Sequence, residues 1–213
     1  MKEFKILPNL PSNYDRKEKD SVKLYSDVIQ GSLGDCYFLC ALCSFAEFPE
    51  LAKSLFSSTT INPNGIFECS LYFHGNKFQI CIDDYFPFRE IYYKDKSIEP
   101  SKPKLEFASF NSRCKNLWVA ILEKCWAKVH GSYYGIAKGL VSDAFEVLLP
   151  CPIETYPHHL YADQLWNIIK TCDESKYLIC ADIADDESDP MFAKKYDSMG
   201  LVTNHAYTLL EAR

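Results

Sequence analysis

An α+β fold is predicted for this 213-residue chain, with a helical lobe and a small antiparallel sheet before residue 150 and an incomplete β-rich lobe after it. Three observations predict it. Apolar residues fill nearly every position from 36 to 45, which describes a helix buried on most sides. Leu117, Trp118, Ile121, Leu122, Cys125, Trp126 and Val129 recur at helical spacing, giving a second helix whose apolar face packs against the first. Two β-rich runs flank His74-Gly75-Asn76, and two more, 177–183 and 201–210, follow Pro150-Cys151-Pro152.

In chain order, residues 1–26 are polar and marked by Pro8 and Pro11, and read as an extended lead-in. Residues 27–150 form a first lobe. It holds the helix opening at Cys36, a hairpin of 66–73 and 77–82, a Lys- and Pro-containing loop over 93–104, and the second helix. Residues 151–213 form a partial second lobe: a short amphipathic helix over 163–172, two strands, and an acidic run over 182–189 that reads as a solvated loop. Two strands alone are marginal in water because their edges lack partners. A truncated lobe is therefore expected, completed by further domains or by a partner.

With 47% hydrophobic and 15% aromatic residues the chain can bury a substantial core, and it carries no tandem repeat. The formal charge of −6 argues against nucleic acid or an anionic membrane as partner, since both select clustered Lys and Arg. The first eight residues lack the apolar core of an export signal, and no run approaches membrane-spanning length. A cytosolic address is expected, with the ten cysteines held as reduced thiols.

Gln30-Gly31-Ser32-Leu33-Gly34-Asp35-Cys36 sets a lone amide six positions ahead of a thiol that opens an apolar helix. Cysteine attacks as the thiolate, and the N–H groups of a helix N-terminus favour that charge. Gly31 and Gly34 read as permitting a tight turn, and Gln30 as an N–H donor to a developing oxyanion. Far downstream, the strand-like run Asn204-His205-Ala206-Tyr207 offers an imidazole base. Alone, Cys36 reads as a small buried hydrophobe and His205 as a core residue. The agreement of Gln30, the glycines, Cys36 and His205 on one mechanism outweighs that reading. Cys36, Cys40 and Cys43 also fit an iron–sulfur spacing, yet on an apolar helix they stack along one packed face instead of a flexible loop.

At these residues the chain resembles the calpain family of papain-like cysteine proteases, whose motifs read Gln-Gly-x-x-Gly-Asp-Cys-Trp and Gly-His-Ala-Tyr. Gly65-Ile66-Phe67 through Asp83-Asp84 is similar to the family's small antiparallel sheet, and the run from Trp118 to Lys128 to its Trp-x-x-Leu-Leu-Glu-Lys-Ala-Tyr-Ala-Lys helix. The resemblance implies a papain-like fold and a calcium-dependent-type cysteine endopeptidase acting on a protein segment bound extended across a cleft. It makes Cys36 the nucleophile, His205 its base, and Gln30 an oxyanion donor beside the Cys36 backbone N–H. It also implies a calcium ligand at Asp27, with an acidic partner just before the helix Trp, where Asn116 stands instead and weakens the site. Asp83 and Asp84 are expected to be structural, at a strand end.

The departures are as informative. Tyr37 replaces the family tryptophan as an aromatic wall, and Asn204 replaces the glycine before the histidine, narrowing the cleft. No Asn-Pro-Trp supplies the asparagine that would orient the imidazole. Its absence keeps open a calpain-like pseudoprotease or regulatory, peptide-binding module. Acyl transfer to an amine uses the same Cys and His and is a third reading.

Overall fold

The computed structural model describes residues 5–7, 24–89, 104–108, 116–184, 188–189 and 191–213. Most of the expected lead-in, nearly all of the 93–104 loop and part of the acidic run lie outside the described residues. Within them the architecture is α+β, with six α-helices and three two-stranded antiparallel sheets. The elements are α1 (Cys36–Phe45), α2 (Pro49–Ser54), β1 (Ile66–Phe73), β2 (Asn76–Asp83), β3 (Phe88–Arg89), β4 (Lys104–Leu105), α3 (Trp118–Val129), α4 (Val141–Leu148), α5 (His158–Glu174), β5 (Cys180–Ile183), α6 (Phe192–Ser198) and β6 (His205–Thr208).

The core is built around α1. Of its ten residues only Cys36 and Cys43 are not fully buried, because α2, α3, α4, β5 and β6 all pack on it. The Phe38 ring stacks on Trp126 of α3 with centroids 5.7 Å apart and planes within 9°, so the two helices meet through the faces their spacing predicts. β1 turns Phe67, Cys69 and Leu71 into this core. The hairpin turn is His74-Gly75, both left-handed at φ 50° and 76°, and pairs Phe73 with Asn76. Its twist matches that of the flanking strands. Asn76 is thus the first residue of β2 and not part of the turn. Described residues of the lead-in are no solvated tail: Ile6 and Leu7 are buried, and Lys5 and Ile6 carbonyls accept the Leu117 and Trp118 N–H groups at 2.9 and 3.1 Å.

After residue 150 the structure departs further from expectation. α5 starts at His158 and spans 17 residues with a kink at Tyr161 (φ −122°). Pro157 stands at its N-cap, and the turn that follows, His158 to the kink at Tyr161, lies outside the apolar stripe of 163–172. α5 leaves Leu160 and Trp166 more than half exposed. β5 and β6 are four residues each, shorter than the apolar runs that contain them, and α6 has no apolar pattern to announce it. The β5–β6 ribbon pairs Cys180 with Thr208 and Ile183 with His205. One face is covered: the Thr208 hydroxyl donates to the Cys40 carbonyl at 2.8 Å, and the Cys180 thiol reaches the same oxygen at 3.7 Å. No described helix is long and apolar enough to cross a membrane.

Candidate active site

Cys36 is the first residue of α1 and is half-buried. The helix is opened by the Asp35 carbonyl, which accepts the Phe38 and Leu39 N–H groups at 2.9 and 3.1 Å. The Asp35 side chain makes no capping bond, and no described acceptor takes the Cys36 N–H. The positive end of the helix therefore stays open beside the sulfur, with its first N–H groups left without a side-chain cap.

The segment before Cys36 is held against β4 and the bend that follows it, residues 104–108. Ser32 donates through its N–H and its hydroxyl to the Glu106 carbonyl at 3.0 and 2.9 Å, and Arg89 Nε lies 3.4 Å from the Glu106 carboxylate. Neither Gly31 nor Gly34 adopts a left-handed φ, which corrects the reading of both as turn glycines. Gly31 is required by proximity: a Cβ there would lie 1.9 Å from the Phe107 carbonyl oxygen. At Gly34 a Cβ would meet nothing within 4 Å. The Gln30 amide donates to the Leu33 carbonyl at 2.8 Å, so it faces its own loop.

The imidazole arrives from the far end of the chain. His205 begins β6, is half-buried, and packs edge-on to Tyr207 with centroids 5.0 Å apart. The Tyr207 hydroxyl accepts the Val202 N–H at 2.7 Å and closes the turn that precedes the strand. Asn204, at φ 52°, makes the left-handed step into it. The Cys36 thiol donates to the Asn204 carbonyl at 3.9 Å, so residues 168 apart in sequence meet at the mouth of α1. Among the described residues no hydrogen bond joins Cys36 to His205.

The family model described as calpain family cysteine protease matches residues 17–213. The chain belongs to the calpain family of cysteine proteases. It is 33% identical over 194 residues to calpain-14 of Homo sapiens, which covers 88% of this chain and 25% of that protein. It is 31% identical over 198 residues to the calpain-type cysteine protease DEK1 of Zea mays, covering 88% of this chain and 8% of the relative. With the calpain-1 catalytic subunit of Bos taurus it shares 29% over 226 residues, 99% of this chain and 30% of that protein. The chain thus spans less than a third of the length of these curated relatives.

Set against the calpain motifs, the departures acquire physical reasons. A left-handed residue before the histidine explains a glycine there, and asparagine is among the few side chains that tolerate that geometry. Tyr37 is no cleft wall. It is 5% exposed, its hydroxyl accepts the Trp126 indole N–H at 2.9 Å, and its ring fills the space beside Gly139 that a Cβ would take. Asp83 ends β2 and is clamped by the Lys124 ammonium, which holds its carboxyl below the usual range.

The expected calpain calcium position does not fit a hard cation. Asp27 and Asn116 are each 2% exposed, and the Asn116 amide N–H donates to Asp27 Oδ2 at 2.7 Å, with the Trp118 indole N–H at 3.4 Å from the same oxygen. Burial nevertheless pushes the Asp27 carboxyl up. Calcium takes six to eight oxygens; here the one carboxylate faces N–H donors, and no group of three or more acidic, His or Cys ligands gathers among the described residues. Cys40, Cys43 and Cys180 gather instead around Thr208, with Cys40 Sγ 3.4 Å from its hydroxyl, and burial pushes the Cys43 thiol to about 11. That is a packed thiol layer.

One functional candidate escapes sequence reading. Glu123, 1% exposed on α3, lies against the equally buried Asp35. A carboxylate amid Ile121, Leu122 and Cys125 on an apolar face was the available signal.

Proposed function

We propose that this chain is the catalytic region of a papain-like cysteine endopeptidase, with Cys36 as nucleophile, His205 as general base, and an oxyanion hole of the Gln30 amide and the Cys36 backbone N–H. The observation that carries the reading is the seating of β6 on the N-terminal end of α1, with the Cys36 thiol on the carbonyl next to His205. In this reading residues 27–150 and 151–213 are the two lobes, and a protein segment lies extended between them. His205 takes the thiol proton, the sulfur attacks a peptide carbonyl, and the oxyanion is held by the two N–H donors. The imidazolium then protonates the leaving amine, and water hydrolyses the thioester. Two side chains must turn first: Cys36 away from the Asn204 carbonyl and Gln30 away from the Leu33 carbonyl.

Further domains or a partner supply the orienting asparagine in this proposal, and the location is cytosolic, which suits ten reduced thiols. No step uses calcium. A second reading, a pseudoprotease that binds peptides without turnover, draws support from those same two bonds to carbonyls, which occupy the nucleophile and the oxyanion donor. Labelling by a peptidyl epoxide separates the two. The protease reading expects selective reaction at Cys36 that is lost in His205→Ala; equal, slow reaction of Cys36 and the other thiols would leave the pseudoprotease.

A further inference from the structure

Directly behind Cys36 the protein encloses two carboxyl groups and offers them one hydrogen-bond donor among the described residues. Asp35 is 0% exposed and Glu123 1% exposed. The Ala108 N–H donates to both Glu123 oxygens at 2.9 and 3.0 Å, while among the described residues neither Asp35 oxygen accepts a hydrogen bond from the backbone N–H of another residue. The Tyr37 hydroxyl on α1 lies in the field of Asp35 and, more weakly, of Asp143 and Cys36, and the Tyr133 hydroxyl after α3 in that of Glu123 and, more weakly, of Cys125 and Asp83. On the 104–108 segment Glu106 is engaged by Ser32 and Arg89, and on α3 Lys124 is turned to Asp83. Among the described residues no basic side chain acts on either carboxyl.

Two carboxylates so enclosed would repel each other with water excluded, and four acceptor oxygens would share one donor. A single added proton resolves both problems by turning one acid into a donor to the other. We propose that Asp35 and Glu123 share one proton and act as a singly charged clamp between α1 and α3, with Asp35 the positioning residue for Cys36. The inference deepens the protease reading, because the positioned group is the nucleophile of that reading.

The clamp explains why an aspartate at the start of α1 makes no capping bond. A capping carboxylate would occupy the first-turn N–H groups that the thiolate and the oxyanion need. Drawn inward to Glu123, it leaves them open and fixes the backbone to which the sulfur is attached. Sharing the proton also halves the charge behind Cys36, which matters because each nearby negative charge opposes thiolate formation. Burial raises both carboxyls, and the Asp35 charge raises Glu123 further, to about 9.

The test needs no turnover. Infrared difference spectra of the intact protein at about pH 8, where an ordinary glutamate is ionised, should show a protonated-carboxyl C=O stretch in the wild type that Glu123→Gln removes. Absence of the band in the wild type overturns the shared proton whether or not Cys36 is reactive. For positioning, the rate of Cys36 reaction with iodoacetamide is compared in Asp35→Ala, Glu123→Gln and wild type. Asp35→Ala should be slower by at least about tenfold, and Glu123→Gln, which keeps a donor facing Asp35, should stay near the wild-type rate. A wild-type rate in Asp35→Ala overturns the positioning role. Loss of peptidyl-epoxide labelling with the band and the iodoacetamide pattern intact would overturn the protease reading alone.

Discussion

Two glycines five and two residues before Cys36 offer an internally controlled test of how the proposed site is held. At Gly31 an added Cβ would meet the Phe107 carbonyl oxygen at 1.9 Å and its carbon at 2.4 Å, with the Glu106 oxygen at 2.6 Å. These are backbone atoms, tied to the loop through Ser32 and Glu106 and backed by the stacking of Phe107 on Tyr133 at 4.2 Å. Relief therefore requires the Gln30–Cys36 segment to lift by more than about 1 Å, and a displacement of that size at a reacting group costs on the order of 10²-fold in rate. Gly31→Ala should slow peptidyl-epoxide labelling of Cys36 by that factor. Gly34→Ala, which meets nothing within 4 Å and needs no left-handed φ, should label within about threefold of wild type and gain up to ~1 kcal/mol of stability. Mass spectrometry of the labelled thiol and a urea titration on each variant make the comparison. A Gly31→Ala protein labelling at the wild-type rate, or a Gly34→Ala protein as impaired as Gly31→Ala, would refute the close-approach account.

Tyr37→Phe removes the acceptor of a 2.9 Å bond and strands the indole N–H of Trp126, itself 5% exposed, so urea unfolding should lose about 1–3 kcal/mol. Asn204→Gly should be neutral or mildly stabilising, whereas Asn204→Val, forcing a β-branched residue to φ 52°, should cost about 1–2 kcal/mol in the same titration. Since Asp27 is bonded by Asn116 and Trp118, replacing a chelator with calcium should leave the melting temperature unchanged; a site filled at about 100 times its Kd would instead add ~2.7 kcal/mol. Glu123, raised to about 9, contributes stability that is full below the ordinary glutamate range and lost as pH rises through the folded value. Between pH 6.5 and 8.5 that loss should run at about 1.4 kcal/mol per pH unit in the wild type and vanish in Glu123→Gln, read from urea midpoints at each pH.

Legibility differs sharply between residues. The α1 helix is readable to its ends because every position from Cys36 to Phe45 suits a buried helix, and α3 because its spacing repeats over three turns. The hairpin is readable from a Gly that takes positive φ beside an Asn. α5 is readable only over 163–172, since its opening residues before the kink at Tyr161 do not continue that stripe, and α6 is not readable because it has no apolar stripe. At the site, Cys36 and His205 are visible as residue types in informative surroundings. Their meeting at 3.9 Å through Asn204 is not, because it depends on how the β5–β6 ribbon lies on α1.

By itself the sequence determined which segments become helix or strand where periodicity is strong, and, through Gln30, Cys36 and His205, which chemistry to look for. Only the tertiary structure decided what the neighbouring residues do. Gly31 serves a close approach and not a turn, Tyr37 holds Trp126 from 89 positions away, Asn116 gives Asp27 an amide N–H across another 89, and Asp35 turns inward to Glu123. Local pattern encodes backbone preference and burial. Which donor meets which acceptor is set by the packing of elements far apart in the chain, and a buried polar group takes whichever partner that packing brings.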